Sequence, residues 1–176
     1  MMRPDKDRYY INIAKEVSKR STCISARFGA VIVREDQIVS TGYNGAPRKV
    51  RDCFEIGMCL RRKLKIPSGK NYEICRSVHA EMNCIINAAR SGVSILGGDL
   101  YLYGIRVLNK ENQIIDAFPC FICKKMIINS GLSRIICSRK DNSYKIYFVK
   151  DWVNEWKEKD MLEEIEQYKN EYFQEK

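Results

Sequence analysis

Tyr10, Ile13, Ala14 and Val17 recur at helical spacing, which predicts a first helix over Arg8–Arg20. Phe28-Gly29-Ala30-Val31-Ile32-Val33 is an apolar run that reads as a buried strand. Gln37–Gly42 is its expected hairpin partner, joined through Arg34-Glu35-Asp36. Asn-Gly and Pro mark Tyr43–Pro47 as a loop, and Arg48–Lys70 reads as irregular. A second helix is expected over Val78–Arg90, stopped by Ser91-Gly92. Asp99–Val107 has strand character, with Gln113–Ala117 returning across Leu108–Asn112. A third helix should run from Pro119 to Asn129, with Pro in its first turn and Gly131 beyond its end. Short strands follow at Arg134–Cys137 and Tyr144–Val149. A long amphipathic helix is expected over Asp151–Phe173, with Trp152, Trp156, Leu162 and Ile165 on or near one face. Strands alternating with helices predict an α/β layered domain.

Length changes this picture little. The 176 residues suit one domain over 1–176, with neither repeat nor low-complexity linker. Within it lie a Cys-rich segment at about 48–75 and the C-terminal helix at about 151–173. No apolar run approaches the roughly 18 residues that cross a bilayer, so no membrane partner is expected. Met1–Asp7 carries a basic residue with no apolar stretch behind it, unlike a secretory signal, so the expected compartment is cytoplasmic. In a reducing cytosol, eight cysteines point to metal or catalysis before disulfides.

Charge is unevenly spread. The chain carries 31 Lys plus Arg against 22 Asp plus Glu, a net +9. Nine acids and four bases lie beyond residue 150, which leaves +14 on residues 1–150. Eight Lys/Arg against two acids fall in Arg48–Lys70. Such a body suits an anionic partner, a nucleotide phosphate or a nucleic acid, and is equally the signature of a solvated surface.

The chemistry concentrates in His79-Ala80-Glu81 and Pro119-Cys120-Phe121-Ile122-Cys123. Cysteines at i and i+3 on a first helical turn share a face at a spacing suited to one metal, and His79 is the sole histidine. Three ligands would leave the fourth tetrahedral position of Zn²⁺ open, as in catalytic sites. Both groups would sit at helix N-termini, which favour thiolates. Glu81 would be near enough to exchange protons without ligating. Alone, either motif also fits a redox pair or a core histidine; the pair, with its Pro and Glu, carries the signature of zinc nucleobase deaminases. Cys84 and Cys137, inside a helix and a strand, are expected in the core.

The sequence resembles the cytidine/deoxycytidylate deaminases, and within them the deoxycytidylate branch. Cys23–Val33 resembles the family's first strand, Ser40–Pro47 its substrate loop, and His79–Asn83 with Pro119–Cys123 its zinc signature. The resemblance implies a three-layer α/β/α fold around a five-stranded mixed sheet. It implies His79, Cys120 and Cys123 as ligands of a catalytic Zn²⁺ and Glu81 as proton shuttle in hydrolysis of dCMP to dUMP and ammonia, by hydroxide attack at C4. Asn44 would bond the sugar, and Ser25 and Arg27 would lie near the phosphate. Tyr144 is a candidate nucleotide contact, and Arg90 a candidate effector or subunit contact. Cys23 and Cys53 match ligands of a second, structural zinc, with Cys59 and Cys75 completing a four-Cys site. Homo-oligomers are usual in the family. Gly104–Asp116 departs from the pattern as an inserted hairpin, and Ala117-Phe118 replaces a frequent small polar residue. Two rivals remain: a nucleic-acid deaminase acting on tRNA or single-stranded DNA, and a zinc-stabilised module without turnover. CMP, the free nucleoside and dCTP stay open as substrates.

Overall fold

A computed structural model describes residues 3–67, 70–108 and 111–161. Helix α1 spans Lys6–Ser18, capped where the Asp5 carboxylate accepts from Arg8 N at 2.7 Å. Strands β1 (Ala26–Arg34) and β2 (Gln37–Tyr43) form the expected hairpin. Its two-residue turn, Glu35-Asp36, has φ of 52° and 63°, the doubly left-handed geometry that matches strand twist. Two short helical turns follow, α2 (Cys53–Ile56) and α3 (Leu60–Lys63), with a 3-10 turn at Tyr72–Ile74. Then come α4 (Ala80–Arg90), β3 (Asp99–Leu108), β4 (Glu111–Ile114), α5 (Phe121–Asn129), β5 (Arg134–Ser138), β6 (Tyr144–Phe148) and α6 (Val149–Glu158).

The sheet runs β2-β1-β3-β5-β6, with β4 a sixth strand pairing β3 beyond the end of β5. Among the described strands only β3 and β5 are parallel, so the chain must cross over between them, and α5 lies in that crossover. This is the mixed α/β architecture expected. On one face, Tyr10, Ile11 and Ala14 of α1 pack on Val31, Val33, Tyr101, Tyr103 and Ile136. On the other, Ala80, Cys84 and Ala88 of α4 and Cys123 and Ile127 of α5 pack on Ala30, Ile32, Leu100, Leu102, Ile135 and Cys137. Cys84 and Cys137 are core residues, as expected. Trp152 docks α6 on this second face, where Lys124 lies buried among the rings of Phe118, Trp152 and Trp156.

The elements depart from expectation at four places. The Arg48–Lys70 stretch is not wholly irregular: Asp52 and Glu55 form a capping box that starts α2, and Gly57 at φ 69° ends it. Pro119 lies just outside α5, because Cys120 is the cap residue. In the 104–116 hairpin β3 runs on to Leu108 and β4 already starts at Glu111, earlier than expected. Helix α6 begins at Val149 and ends at Glu158, where Lys159 turns extended (φ −128°, ψ 148°). Lys157-Glu158-Lys159-Asp160 offers no apolar side chain to pack, and isolated helix is marginal without packing. The expected Leu162 and Ile165 contacts lie outside the described residues. Among those described, no helix is long and apolar enough to cross a membrane.

Both helical layers approach the sheet at glycine. A Cβ on Gly29 would stand 2.1 Å from Ala14 O, and one on Gly42 2.4 Å from Cys84 N and 2.5 Å from Ala80 O. These obstacles are helix backbone and cannot swing aside. Gly42→Ala should therefore destabilise the protein by about 1–3 kcal/mol in urea unfolding, the usual range for overpacking. An unchanged midpoint would mean that α4 is free to move.

Candidate active site

His79 and Cys120 are the cap residues of α4 and α5, both in extended backbone, so their side chains project from the helix mouths. A bridge between Gly45 and Val78 fixes the entry to α4: Val78 N donates to Gly45 O at 2.8 Å, and Gly45 N to Val78 O at 3.2 Å. Cys123 lies one turn into α5. His79 Nδ1 stands 3.3 Å from Cys120 Sγ and 3.3 Å from Cys123 Sγ. Among the described residues, these three form the one group with ligand atoms close enough to share a metal.

The donor set suits zinc. Ordinary zinc–sulfur and zinc–imidazole bonds at a tetrahedral angle place sulfur and nitrogen about 3.5 Å apart. The observed 3.3 Å separations need little change. Cys123 is fully buried and Glu81 is 4% exposed. Burial pushes the Glu81 carboxyl above its ordinary range against the opposing pull of His79. Cys120 is held down to about 4 by the hydrogen bond from the Cys123 thiol, reinforced by His79. That same bond, with burial, pushes Cys123 up. Burial works against a charged His79, yet the bond to Cys120 and the Glu81 charge carry it upward overall. The Cys120 thiolate thus lies at the N-terminus of α5, whose partial positive charge stabilises it.

A cavity of about 420 Å³ opens beside the triad, lined by His79, Glu81 and Cys120 and by Phe28, Asn44 and Phe118 among others. Asn44 and Ser25 are both on its wall. The Asn44 amide is largely engaged: Oδ1 accepts from Phe28 N and from Ser21 Oγ, each at 2.7 Å, and Nδ2 donates to Ala26 O at 2.9 Å. One amide hydrogen is left to offer a ligand.

Three residues named from the sequence lie elsewhere. Arg27 shares its side of β1 with Gly29, Val31 and Val33, the side that faces α1, and does not line the cavity. Strand alternation sends Ala26 and Phe28 to the cavity instead. Tyr144 is likewise on the α1 side, its hydroxyl donating to Asp5 at 3.2 Å and its ring beneath Arg8. Arg90 ends α4, exposed, at the opposite end from His79. In place of Arg27 the cavity has Arg61, Arg62 and Arg106. Arg62 donates to Val107 O at 3.1 Å, which ties it to the strand that carries Arg106. Arg106 pairs with Ala26 and was legible by alternation; nothing in the local pattern singles out Arg61 and Arg62 from their basic stretch.

Cys23, Cys59 and Cys75 line the same cavity, and Cys53 is buried beside them with Arg76 donating to its Sγ at 3.9 Å. These four thiols are not drawn into a group as tight as the His79 triad.

The sequence pattern of the cytidine and deoxycytidylate deaminase zinc-binding region matches residues 4–139. A deoxycytidylate deaminase of Saccharomyces cerevisiae is 33% identical over 150 residues, 83% of this chain and 43% of that protein. One from Mycobacterium phage D29 is 33% identical over 141 residues, 77% of this chain and 96% of that protein. The chain thus spans well under half of the yeast relative and nearly all of the phage one. A dCMP deaminase from cyanophage S-TIM5 shares the fold, with a TM-score of 0.53 and 24% identity over 76% of this chain and 82% of that chain.

Cys123→Ser should lower zinc retained after dialysis to under about a tenth of wild type, read by atomic absorption, because a ligand and its charge are lost together. Retention of zinc at the wild-type level would remove Cys123 from the ligand set.

Proposed function

The chain belongs to the cytidine and deoxycytidylate deaminase zinc-binding family, and on that premise we propose that it hydrolyses dCMP to dUMP and ammonia. The observation that carries this reading is the joining, in one cavity, of the His79–Cys120–Cys123 triad, the buried Glu81 carboxyl and an arginine-lined wall. His79 Nδ1 and the Cys120 and Cys123 sulfurs would hold zinc, which when bound supplies a Lewis acid that acidifies water.

The remaining work falls to the chain's own groups. Glu81 accepts a proton as water adds to C4 and delivers it to N3 of the pyrimidine. It then takes the remaining proton from the oxygen added at C4 and passes it to the exocyclic nitrogen, so that the C–N bond breaks, ammonia leaves and the C4 carbonyl forms. Burial suits Glu81 to both directions of transfer, since a carboxyl raised toward neutrality gives up and takes protons more evenly. The free Asn44 amide hydrogen is offered to the sugar, and Phe28 and Phe118 give apolar surface for the base. Arg62 and Arg106 are assigned to the phosphate, as guanidinium forks match phosphate oxygens. A second zinc on Cys23, Cys53, Cys59 and Cys75 is decided by metal content: two ions per chain support it and one removes it.

Two measurements check this function. Glu81→Gln should reduce ammonia release from dCMP by at least about 100-fold, the low end for acid–base catalysis, while zinc content stays at the wild-type level. Retained turnover would exclude the shuttle. Arg106→Met should raise KM for dCMP by about 10–100-fold, the loss of a charge-assisted hydrogen bond, and leave deoxycytidine turnover unchanged. Activity in wild type on tRNA or single-stranded DNA but on no mononucleotide would replace the reading with a nucleic-acid deaminase.

A further inference from the structure

Arg61 and Tyr72, from the Cys-rich segment, stack in series onto the histidine of the triad. Arg61 donates to Pro67 O at 2.7 Å, to Asn71 O at 2.6 Å and to Lys70 O, so its fork gathers the backbone of the loop that ends at Tyr72. The same guanidinium lies 4.7 Å above the Tyr72 ring. Tyr72 in turn meets His79 ring to ring at 5.0 Å and 89°, an edge contact. His79 needs such support. As a cap residue in extended backbone it lies outside the regular turns of α4, and its side chain makes no capping hydrogen bond. Its Nδ1 must nevertheless face two sulfurs at once.

Resting on the reading that His79 is a metal ligand, we infer that Tyr72, clamped by Arg61, is a positioning residue that holds the imidazole in its ligating orientation. The contact with His79 is made by the ring, and the hydroxyl takes no part in it. The Arg61 fork makes the contact depend on the fold of the loop. Metal affinity is thereby linked to the order of the Cys-rich segment, although that segment supplies none of the three ligands. Groups that orient a ligand in this way change metal affinity by about 10–100-fold when removed.

The test loads the full chain with Co²⁺, reading affinity by competition with a chromogenic chelator and ligand geometry by the visible d–d bands. Tyr72→Phe should match wild type in both. Tyr72→Leu should bind at least about 10-fold more weakly with shifted bands, its circular dichroism unchanged. Arg61→Lys keeps the charge but lacks the planar fork, and should lose affinity in the same direction, so it decides the matter if Tyr72→Leu does not fold. Wild-type affinity and spectrum in Tyr72→Leu, or in Arg61→Lys where that variant decides, overturns the inference. A loss in Tyr72→Phe equal to that in Tyr72→Leu also overturns it, by assigning the effect to the hydroxyl. Wild-type protein without stoichiometric Co²⁺ binding, or His79→Ala binding as tightly as wild type, overturns the metal reading itself and is told apart by those controls.

Discussion

Two helix N-termini are brought close enough that one imidazole nitrogen stands 3.3 Å from two sulfurs, and the structure around them serves to keep them there. Two positively polarised helix ends repel unless negative charge lies between them. The Cys120 thiolate supplies that charge, with Cys123 and Glu81 beside it, and each is at least partly withdrawn from water. Without a cation the arrangement is self-limiting: Cys120 ionises readily while its neighbour Cys123 holds its proton, so the two sulfurs share one charge. A dication held there would replace the shared proton, and sulfur with imidazole is a donor set suited to a metal such as zinc.

Holding that convergence falls to the sheet. The parallel pairing of β3 with β5 sends α5 across the same face as α4, and Gly42 lets α4 lie with its backbone against β2. The Gly45–Val78 bridge then sets the residue before His79 within hydrogen-bonding distance of the substrate-loop segment. Asn44, one residue earlier, is itself pinned at Phe28 N and Ala26 O. The loop expected to meet the sugar and the histidine expected to bind metal are therefore registered by neighbouring backbone contacts, with little room to move independently.

Much of this was legible before any coordinates. Helix starts at His79 and Cys120 follow from apolar periodicity, a Pro before Cys120 and small stops after each helix, and the fold class follows from alternating elements. Arg27 and Tyr144 lie away from the cavity for one reason. Resemblance assigns a role to a position, whereas strand alternation decides which face that position takes. Counting parity from the buried run Ala30–Val33 puts Arg27 on the face away from His79, and parity from Leu100 and Leu102 puts Arg106 on the near one. The order in Arg48–Cys75 was less accessible, because Arg61 acts through carbonyls of residues six to ten positions away and leaves no periodic trace. The end of α6 fell where four charged residues follow Trp156, a local signal outweighed by the spacing of more distant apolar positions.

The arginines of the cavity show why net charge alone did not choose between a nucleotide and a nucleic acid. Arg61 directs its donors into its own loop and contributes order. Arg62 is instead tied to Val107 O near the end of β3, next in sequence to Arg106, and both line the cavity. A polymer needs basic groups spread along a path at phosphate spacing, so that each contact adds to a salt-dependent sum. Two arginines lining a cavity of about 420 Å³ that Glu81, His79 and Cys120 also line fit the scale of a small anionic ligand better than that of a polymer. The rest of the +14 on residues 1–150 raises the local concentration of any anion without choosing among them.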